Sequence, residues 1–198
     1  MLPVVTLDAA YANAWRPALQ AHGDADLLGW YHACAQSLPS AAVCVEVGVA
    51  HGRSVLFLAE LMAALGLDAA HVYAVDPWRH SWPEEPMGYF PWPFGAVLRG
   101  LVDHASDQEL EHICPLRISS PGAAKLFGAR SLDLVMIDGE HDESSVAGDI
   151  KAWAPKVRKG GWLSGHDYSA EWPGVVSAVD LAYPGRTIVV GSVWAIEM

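Results

Sequence analysis

The sequence predicts a single α/β domain built on a doubly wound, mostly parallel sheet with an antiparallel hairpin at its C-terminal edge. Segments typical of strands alternate with segments typical of helices from residue 42 to residue 182, an order that favours parallel strands with helices on both faces. Residues 187–196 contain two apolar runs that meet at Gly191 and Ser192, a pattern typical of a hairpin. With 198 residues, 52% of them hydrophobic, the chain is long enough to bury one core.

The individual elements follow from the spacing of apolar residues and from helix end signals. Residues 55–65 carry leucine and methionine at helical spacing, whereas short apolar runs are typical of buried strands. Pro121 lies near a helix start, and Pro155 follows a helix end. Residues 1–40 are expected to cap this core. The predicted strands are 42–46, 71–76, 110–118, 132–138 and 160–167, and the predicted helices are 24–37, 54–65, 94–105, a segment starting at 119–121, a segment ending before Pro155, and 174–182.

A glycine-containing turn joins the first strand to its helix. Its pattern is Glu46-x-Gly48-x-x-x-Gly52-x-Ser54, which differs from the Gly-x-Gly-x-x-Gly of dinucleotide-binding proteins. Glycine lets the backbone approach a ligand closely, and the following helix N-terminus offers unpaired N–H groups. Asp76 ends the second strand, where a carboxylate accepts hydrogen bonds from ribose hydroxyls. The unit therefore predicts a site for a nucleoside-bearing cofactor.

The composition limits the classes of partner. A formal net charge of −11 opposes a large phosphate-binding surface, so nucleic acid is not an expected partner. No stretch reaches the ~18 uncharged apolar residues of a membrane helix, and the N-terminus lacks a secretory signal pattern. Cys34, Cys44 and Cys114 have no metal-type spacing, which favours reduced thiols in a cytoplasmic protein. We expect a cytoplasmic protein that acts on a small molecule.

Residues 77–94 form a segment rich in aromatic and proline residues. Because proline disfavours regular helix and central strand, this segment is predicted to be an ordered loop at the carboxyl edge of the sheet. One interpretation is an aromatic lid over a substrate. The other is a cluster that seals the edge of the core or forms a subunit contact, and the sequence does not choose between them.

Four segments together resemble class I S-adenosylmethionine-dependent methyltransferases, which have a Rossmann-like fold. They are Val45-Glu-Val-Gly-Val-Ala-His-Gly-Arg-Ser54, Ala74-Val-Asp-Pro-Trp78, the run from Leu132 to His141, and the run from Gly160 to Tyr168. The resemblance covers roughly residues 40–197. It is to a small group that includes sugar O-methyltransferases of macrolide pathways, and it is more distant to catechol O-methyltransferases. It implies S-adenosylmethionine as cofactor and O-methylation of a small hydroxyl-bearing molecule.

The resemblance also implies roles for residues at the strand ends. Asp76 would hold the ribose, and Ser119 with Ser120 would lie against the adenine, although an ordinary helix cap is an equal interpretation of the two serines. His51 would touch the cofactor carboxylate or the substrate, or would only pack in the turn. The residues expected around the methionine part of the cofactor are Glu46, Gly48, Ala50, His51, Gly52 and Ser54.

A second constellation consists of Asp138, His141, His166 and Asp167. If the strands before them are neighbours, their carboxyl ends lie about 5 Å apart, and Asp138 faces His166 and Asp167 across the crevice where α/β proteins bind ligands. Two carboxylates, with His166 as a third ligand, would hold Mg²⁺ or another divalent cation. Such a cation would orient vicinal hydroxyls and lower the pKa of the attacking oxygen.

The resemblance implies His141 as the general base, because an imidazole with a pKa near neutrality can take a proton from a hydroxyl. Asp138 is expected to contribute to catalysis and to the cofactor site. Simpler roles stay open: Asp138 would bind only the cofactor's amino group or a water, His166 would be a core histidine, and Asp167 would cap a turn.

Other functions and properties stay open at this point. The rival functions are a nicotinamide-dependent oxidoreductase, a metal-dependent hydrolase built on the acid–histidine constellation, and a non-catalytic nucleoside-binding module. The acceptor can be a sugar hydroxyl, a catechol or another small polyol, and N-methylation is an alternative. A homodimer that supplies a cover for the crevice is a further expectation.

Overall fold

A computed structural model describes residues 25–78 and 94–198. The strands are β1 Val43–Val47, β2 His71–Val75, β3 Ile113–Leu116, β4 Leu132–Ile137, β5 Val157–Gly165, β6 Ile188–Val190 and β7 Val193–Glu197. The helices are α1 Ala25–Ala35, α2 Arg53–Ala64, α3 Phe94–His104, α4 Asp107–His112, α5 Ser120–Ala124, α6 Glu143–Trp153 and α7 Pro173–Ala182. A 3₁₀ turn, Ala154–Lys156, joins α6 to β5.

The seven strands form one sheet in the order β3-β2-β1-β4-β5-β7-β6. The first five pair in parallel, whereas β7 is antiparallel to both β5 and β6. Strand order therefore runs outward from β1 in both directions, as in a doubly wound sheet. This confirms the predicted fold class, including the C-terminal hairpin, which turns at Gly191 and Ser192.

Helices cover both faces of the sheet, and each face has its own hydrophobic cluster. One cluster joins α1, α2 and α3 to the sheet, with Phe57, Leu61 and Met62 of α2 almost completely buried. The other joins α5, α6 and α7 to the opposite face and contains Trp153 and Trp194. Central strand β4 is buried along its whole length, which explains a sequence that is apolar except at Asp133, whose carboxylate accepts from Arg158 Nε.

Two strands begin three residues away from their predicted starts. The third strand was expected over residues 110–118, but residues 107–112 form α4 and the strand begins only at Ile113. Ser106 and Glu109 form a capping box at the start of α4, with Ser106 Oγ accepting from the backbone of Glu109. The fifth strand begins at Val157, ahead of the predicted start at Gly160, so the Gly160-Gly161 pair lies inside β5.

Two predicted segments fall mostly outside the described residues. Of the N-terminal cap expected over residues 1–40, residues 1–24 are not described, and the described part contains α1. Of the aromatic and proline-rich loop at 77–94, residues 79–93 lie outside the described ranges, so neither interpretation of that loop is tested. Among the helices that are described, none has the length and apolar character to cross a membrane.

Candidate active site

Backbone hydrogen bonds continue beyond the ends of the parallel strands and bring four loops together. Gly48 N donates to Val75 O at 2.9 Å, Asp138 N donates to Val47 O at 2.8 Å, and His166 N donates to Ile137 O at 3.1 Å. The residues that follow β1, β2, β4 and β5 therefore lie side by side at the carboxyl edge of the sheet. This is the edge at which doubly wound proteins bind their ligands.

Gly48 is required by the close approach of two backbone segments. A Cβ atom at this position would lie 2.0 Å from the carbonyl oxygen of Asp138 and 2.6 Å from Cα of Gly139. Gly48 also has φ +85°, in the left-handed region that favours glycine. The glycine thus permits the turn after β1 to contact the loop that carries Asp138.

The glycine turn is tied to the end of β2 through Asp76. Oδ2 of Asp76 accepts a hydrogen bond from Ala50 N at 3.1 Å, and Oδ1 accepts from Trp78 N at 2.6 Å. The indole Nε1 of Trp78 donates to Ala50 O at 3.0 Å. Ala50 and Trp78 both have positive φ, 46° and 41°. His51 lies in the same turn and is half-buried. Asp76 therefore fixes the shape of the turn in which four of the predicted cofactor-binding residues lie.

Glu46 lies below this turn, almost completely buried. Its two carboxylate oxygens accept hydrogen bonds of 2.5 Å from the hydroxyls of Tyr31 and Ser54. The structure thus brings the predicted Glu46 and Ser54 into contact and adds Tyr31 from α1. Burial raises the pKa of the Tyr31 hydroxyl well above its usual value, and the Glu46 carboxylate raises it further. Tyr31 is therefore a neutral hydrogen-bond donor to the carboxylate.

The serine pair after β3 is divided between two environments. Ser119 is exposed at the N-cap of α5, and its side chain makes no capping hydrogen bond. Ser120 Oγ donates to the buried carboxyl of Asp149 and accepts from Trp153 Nε1 at 2.9 Å. Ser120 is therefore engaged with α6, and a contact of either serine with adenine stays a prediction.

Asp138, His141 and Asp167 form a compact group on the neighbouring loops. One ligand-type atom of each side chain lies within 4.8 Å of the others, and all three residues are partly buried. Asp138 follows β4, His141 precedes the N-cap of α6, and Asp167 follows β5 in a left-handed conformation with φ +59°. The structure thus brings together three of the four residues of the predicted constellation as one possible cation site.

His141 is held between a carboxylate and an indole ring. Its Nε2 donates to Oδ2 of Asp167 at 2.7 Å, and its ring stacks on Trp172 with centroids 4.1 Å apart. Burial alone would lower the pKa of His141. The hydrogen bond to Asp167 and the negative charges of Asp167, Asp138 and Glu140 outweigh burial and raise this pKa above 6.5.

His166 is buried beside the group and contacts acids on both sides. Its Nδ1 lies 3.5 Å from Asp167 Oδ1 and 3.8 Å from Asp138 Oδ1, while its Nε2 lies 3.3 Å from Asp26 Oδ1 and 2.9 Å from Ser192 Oγ. Burial alone would lower the pKa of His166, but the hydrogen bond to Asp167 and the surrounding carboxylates raise it to about 9. The two histidines in turn hold the pKa of Asp167 far below its usual value, against the effect of burial.

Four residues of this region were missed by the sequence reasoning: Asp26, Tyr31, Trp172 and Ser192. Asp26 and Tyr31 lie on α1, which no motif connects to the strand ends. Ser192 lies in the hairpin turn, where a serine is an ordinary turn residue. Trp172 precedes α7, and its contact with His141 depends on the close packing of Gly174 against the backbone of residues 141–143. Helical periodicity could place Tyr31 on the buried face of α1, but not opposite Glu46.

The donor set fits a divalent cation. Two carboxylates supply the oxygen ligands that Mg²⁺ and Mn²⁺ prefer, and an imidazole nitrogen is a ligand that Mn²⁺ and later transition ions accept. The same side chains can act without a cation: an imidazole hydrogen-bonded to a carboxylate can remove a proton from a bound hydroxyl. The site can therefore activate a hydroxyl beside the glycine turn, where the sequence predicts the cofactor.

A family model described as "Methyltransferase domain" matches residues 45–168, which is more than half of the chain. The match runs from β1 to the residue after Asp167 and so contains the glycine turn, Asp76 and the acid–histidine group. No curated protein sequence matches this chain.

Several solved structures share the fold at low sequence identity. The calicheamicin methyltransferase CalS11 has a TM-score of 0.67 and 15% identity, over 99% of this chain and 88% of CalS11. The O-methyltransferase NovP has a TM-score of 0.59 and 18% identity, over 86% of this chain and 78% of NovP. An rRNA methylase from Streptococcus thermophilus has a TM-score of 0.56 and 15% identity, over 89% of this chain and 95% of the methylase. At these identities the likeness concerns the fold.

Proposed function

The chain belongs to the methyltransferase domain family and is an S-adenosylmethionine-dependent methyltransferase, and we propose that it methylates a hydroxyl group of a small molecule. The observation that carries the proposal is the position of the acid–histidine group, which adjoins the glycine turn through the Gly48–Asp138 contact. A hydroxyl-activating group beside the cofactor edge is what oxygen methylation needs. The rival interpretations as a nicotinamide oxidoreductase, a hydrolase or a non-catalytic module do not agree with the family.

The cofactor would lie along the carboxyl edge of β1 and β2. In this proposal the turn of residues 46–54 surrounds the methionine part, Asp76 accepts from the ribose hydroxyls, and Ser119 and Ser120 lie near the adenine. Asp76 already accepts from two backbone N–H groups, so its carboxylate is held in place before the cofactor binds. The remaining lone pairs of its two oxygens are the acceptors that a ribose would use.

Methyl transfer requires alignment more than activation of the donor, because the methyl group is already bonded to a sulfonium. The acceptor oxygen forms a bond to the methyl carbon as the carbon–sulfur bond breaks, and the sulfur leaves as a neutral thioether. The hydroxyl proton passes to His141 in this proposal. The stacking of His141 on Trp172 and its hydrogen bond to Asp167 fix the ring for that role.

A divalent cation is the second proposed cofactor. Asp138 and Asp167 would hold it, with Nδ1 of His166 as the third ligand, which leaves His141 free to act as base. His141 competes for the ligand role, since its atoms belong to the compact group with both carboxylates. When bound, Mg²⁺ or a similar ion would lower the pKa of the attacking hydroxyl and orient vicinal oxygens.

The acceptor is proposed to be a sugar hydroxyl, for which the fold neighbours give a specific probe. One structure of CalS11 is described as that of a TDP-rhamnose 3′-O-methyltransferase, with a TM-score of 0.61 and 16% identity. The exposed acids on either side of His141, Glu140 and Asp142, offer hydrogen-bond acceptors to a polyol. A catechol is the second acceptor class to test, because vicinal phenolic hydroxyls suit the same cation site.

The first test is calorimetric titration with S-adenosylmethionine and with its demethylated product, with and without Mg²⁺. We expect micromolar binding of both. Transfer of labelled methyl from the cofactor is then measured with TDP-rhamnose and with catechol, before and after EDTA treatment. Transfer to an oxygen that EDTA abolishes and Mg²⁺ restores supports the whole proposal. Transfer that EDTA leaves unchanged removes the cation, and transfer only to amine acceptors contradicts oxygen methylation.

Three further properties complete the proposal. We infer that the whole chain is one methyltransferase domain and that it works in the cytoplasm, where the free cysteines, two of them buried, stay reduced. We also propose a homodimer in which a partner covers the crevice. A solution mass equal to one 21.3 kDa chain would contradict the dimer.

A further inference from the structure

His166 lies between two sets of hydrogen-bond acceptors. Its Nδ1 faces Asp167 Oδ1 at 3.5 Å and Asp138 Oδ1 at 3.8 Å. Its Nε2 faces the opposite direction, 2.9 Å from Ser192 Oγ and 3.3 Å from Asp26 Oδ1. A neutral imidazole carries one ring proton, so the two sets compete for it. The position of this proton decides whether Nδ1 donates a hydrogen bond to the active-site carboxylates or presents a lone pair to them.

The contacts of Ser192 assign the proton to Nε2. Ser192 Oγ lies 2.7 Å from Asp26 Oδ2, and a hydroxyl at that distance from a carboxylate donates its proton to it. Having donated its only proton, the hydroxyl can only accept from His166, so Nε2 must carry a hydrogen. The backbone N of Ser192 donates to the same carboxylate oxygen at 2.6 Å and fixes the pair.

Asp26 is itself held firmly from two elements. Its Oδ1 accepts from Leu27 N at 3.0 Å in the first turn of α1, where the helix dipole also favours a carboxylate. A Cβ atom at Gly191 would lie 2.5 Å from Asp26 Oδ2, so the carboxylate packs directly on the hairpin turn. Asp26 therefore joins α1, the hairpin and His166 through one side chain.

We propose that Asp26 and Ser192 are positioning residues that keep a proton on Nε2 of His166, so that in the neutral ring Nδ1 is the nitrogen without a proton and its lone pair faces Asp138 and Asp167. Without them the proton would move to Nδ1, because two carboxylates face that nitrogen. Histidines that bind metal commonly donate their other ring N–H to a carboxylate in this way. The role of Nδ1 as a cation ligand rests on the proposed function. The position of the proton on Nε2 does not depend on that function.

The chain offers a conservative variant and a matched control. Ser192→Ala removes the nearest acceptor of Nε2, and Ser192→Thr keeps the hydroxyl. Asp26→Asn replaces a pure acceptor by a group that also donates. Ser164→Ala is the control: Ser164 Oγ accepts from Trp30 Nε1 of α1 at 3.2 Å, so this variant removes another hydrogen bond between α1 and the sheet without touching His166.

The first readout is the ¹⁵N chemical shift of the two ring nitrogens of His166 in metal-free protein, followed with rising pH until the shifts show that the ring is neutral. We expect the Nε2–H form in the wild type, in Ser192→Thr and in Ser164→Ala. Ser192→Ala and Asp26→Asn should show a substantial Nδ1–H population. A wild type in the Nδ1–H form, or an Nε2–H form that persists unchanged in both variants, overturns the inference.

The second readout is Mn²⁺ affinity, measured by electron paramagnetic resonance without any acceptor. Ser192→Ala and Asp26→Asn should weaken Mn²⁺ binding about 10- to 100-fold, the usual effect of losing an outer partner of a metal-binding histidine. Ser164→Ala and Ser192→Thr should bind like the wild type. Equal affinity in all variants overturns the positioning role. Absence of Mn²⁺ binding in the wild type contradicts the proposed cation instead, and the ring shifts then decide the positioning inference alone.

Discussion

His141 Nε2 lies 2.7 Å from Oδ2 of Asp167, so the proposed base and a proposed cation ligand share one hydrogen bond. The carboxylate raises the pKa of the imidazole, and the imidazole lowers that of the carboxylate. A base acts only in its neutral form, so this contact strengthens His141 as a proton acceptor but reduces its neutral fraction near pH 7.

This relationship predicts a rising pH–rate profile. Below the raised pKa of His141 the ring is protonated and the methyl-transfer rate should be low; the rate should increase as pH rises through that pKa and then level off. His141→Ala should lower kcat about 10²- to 10⁴-fold, the usual share of general base catalysis, and should flatten the profile. The measurement is kcat against pH with an acceptor established by the labelled-methyl assay.

Mn²⁺ affinity of the same variant separates the two roles of His141. If His141 is the base, His141→Ala binds Mn²⁺ as tightly as the wild type does; a large loss of affinity would make it a ligand. His104→Ala, a change at an exposed histidine near the end of α3, serves as the control. An undiminished rate for His141→Ala at every pH would remove it from catalysis altogether.

A second prediction concerns Asp76 and the cofactor. Asp76→Ala removes the proposed acceptor of the ribose hydroxyls and also releases Ala50 N and Trp78 N. Hydrogen bonds to charged groups are worth about 1.5–3 kcal/mol, so S-adenosylmethionine affinity should fall roughly 10- to 100-fold. Calorimetry measures this, with Asp103→Ala on the exposed side of α3 as the control. Unchanged affinity would place the ribose elsewhere.

The features of the fold that depend on local residue patterns could be predicted from the sequence. The strand–turn–helix unit around Gly48 and the buried strand β4 follow from residue spacing, and so does the hairpin at Gly191. The parallel arrangement of the first five strands followed from the alternation of elements, because parallel strands need helical crossovers. The predicted start of β3 was wrong because Leu110 belongs to the short helix that begins at the Ser106–Glu109 capping box.

The site was predictable only in part, for a geometric reason. Asp138 and Asp167 each follow a strand, so strand adjacency brings them together. The orientation of His166 depends instead on Asp26, which is 140 residues away in sequence, and on Ser192 in the hairpin. Such contacts are set by how α1 docks on the sheet, and no local signal in the sequence records that docking.

A third prediction uses two glycines with positive φ. Gly48→Ala adds a Cβ that would lie 2.0 Å from a backbone oxygen, whereas a Cβ at Gly66, with φ +66°, would meet nothing within 4 Å. Gly66→Ala should lower the free energy of unfolding by only about 1 kcal/mol, because alanine is disfavoured in the left-handed conformation. Gly48→Ala should be far more destabilising, because the β1 turn must separate from Asp138. Denaturant unfolding compares them, and equal losses would contradict the tight contact.

The last prediction concerns Glu60, a half-buried residue of α2. Among the described residues its Oε2 is buried without a hydrogen-bond partner, and burial, with the nearby charge of Glu109, raises its pKa to about 8. The folded state therefore favours the neutral acid, whereas the unfolded chain ionises near pH 4.5. The contribution of Glu60 to the free energy of unfolding should be fully present below pH 4.5 and should be lost as pH rises toward 8, because only the unfolded state then gains from ionisation.

Glu60→Gln cannot ionise, so it should remove this decline. The variant and the wild type should unfold with similar free energies at pH 4, and the variant should be more stable by roughly 1–3 kcal/mol at pH 8.5, the range for a poorly satisfied buried polar group. The other groups titrate alike in the two proteins, so their effect cancels when the difference in free energy of unfolding between variant and wild type is compared at two pH values. Glu111→Gln, on the exposed side of α4, should show no such dependence. A constant difference between pH 4 and pH 8.5 would mean that Glu60 ionises normally in the folded protein and would contradict this prediction.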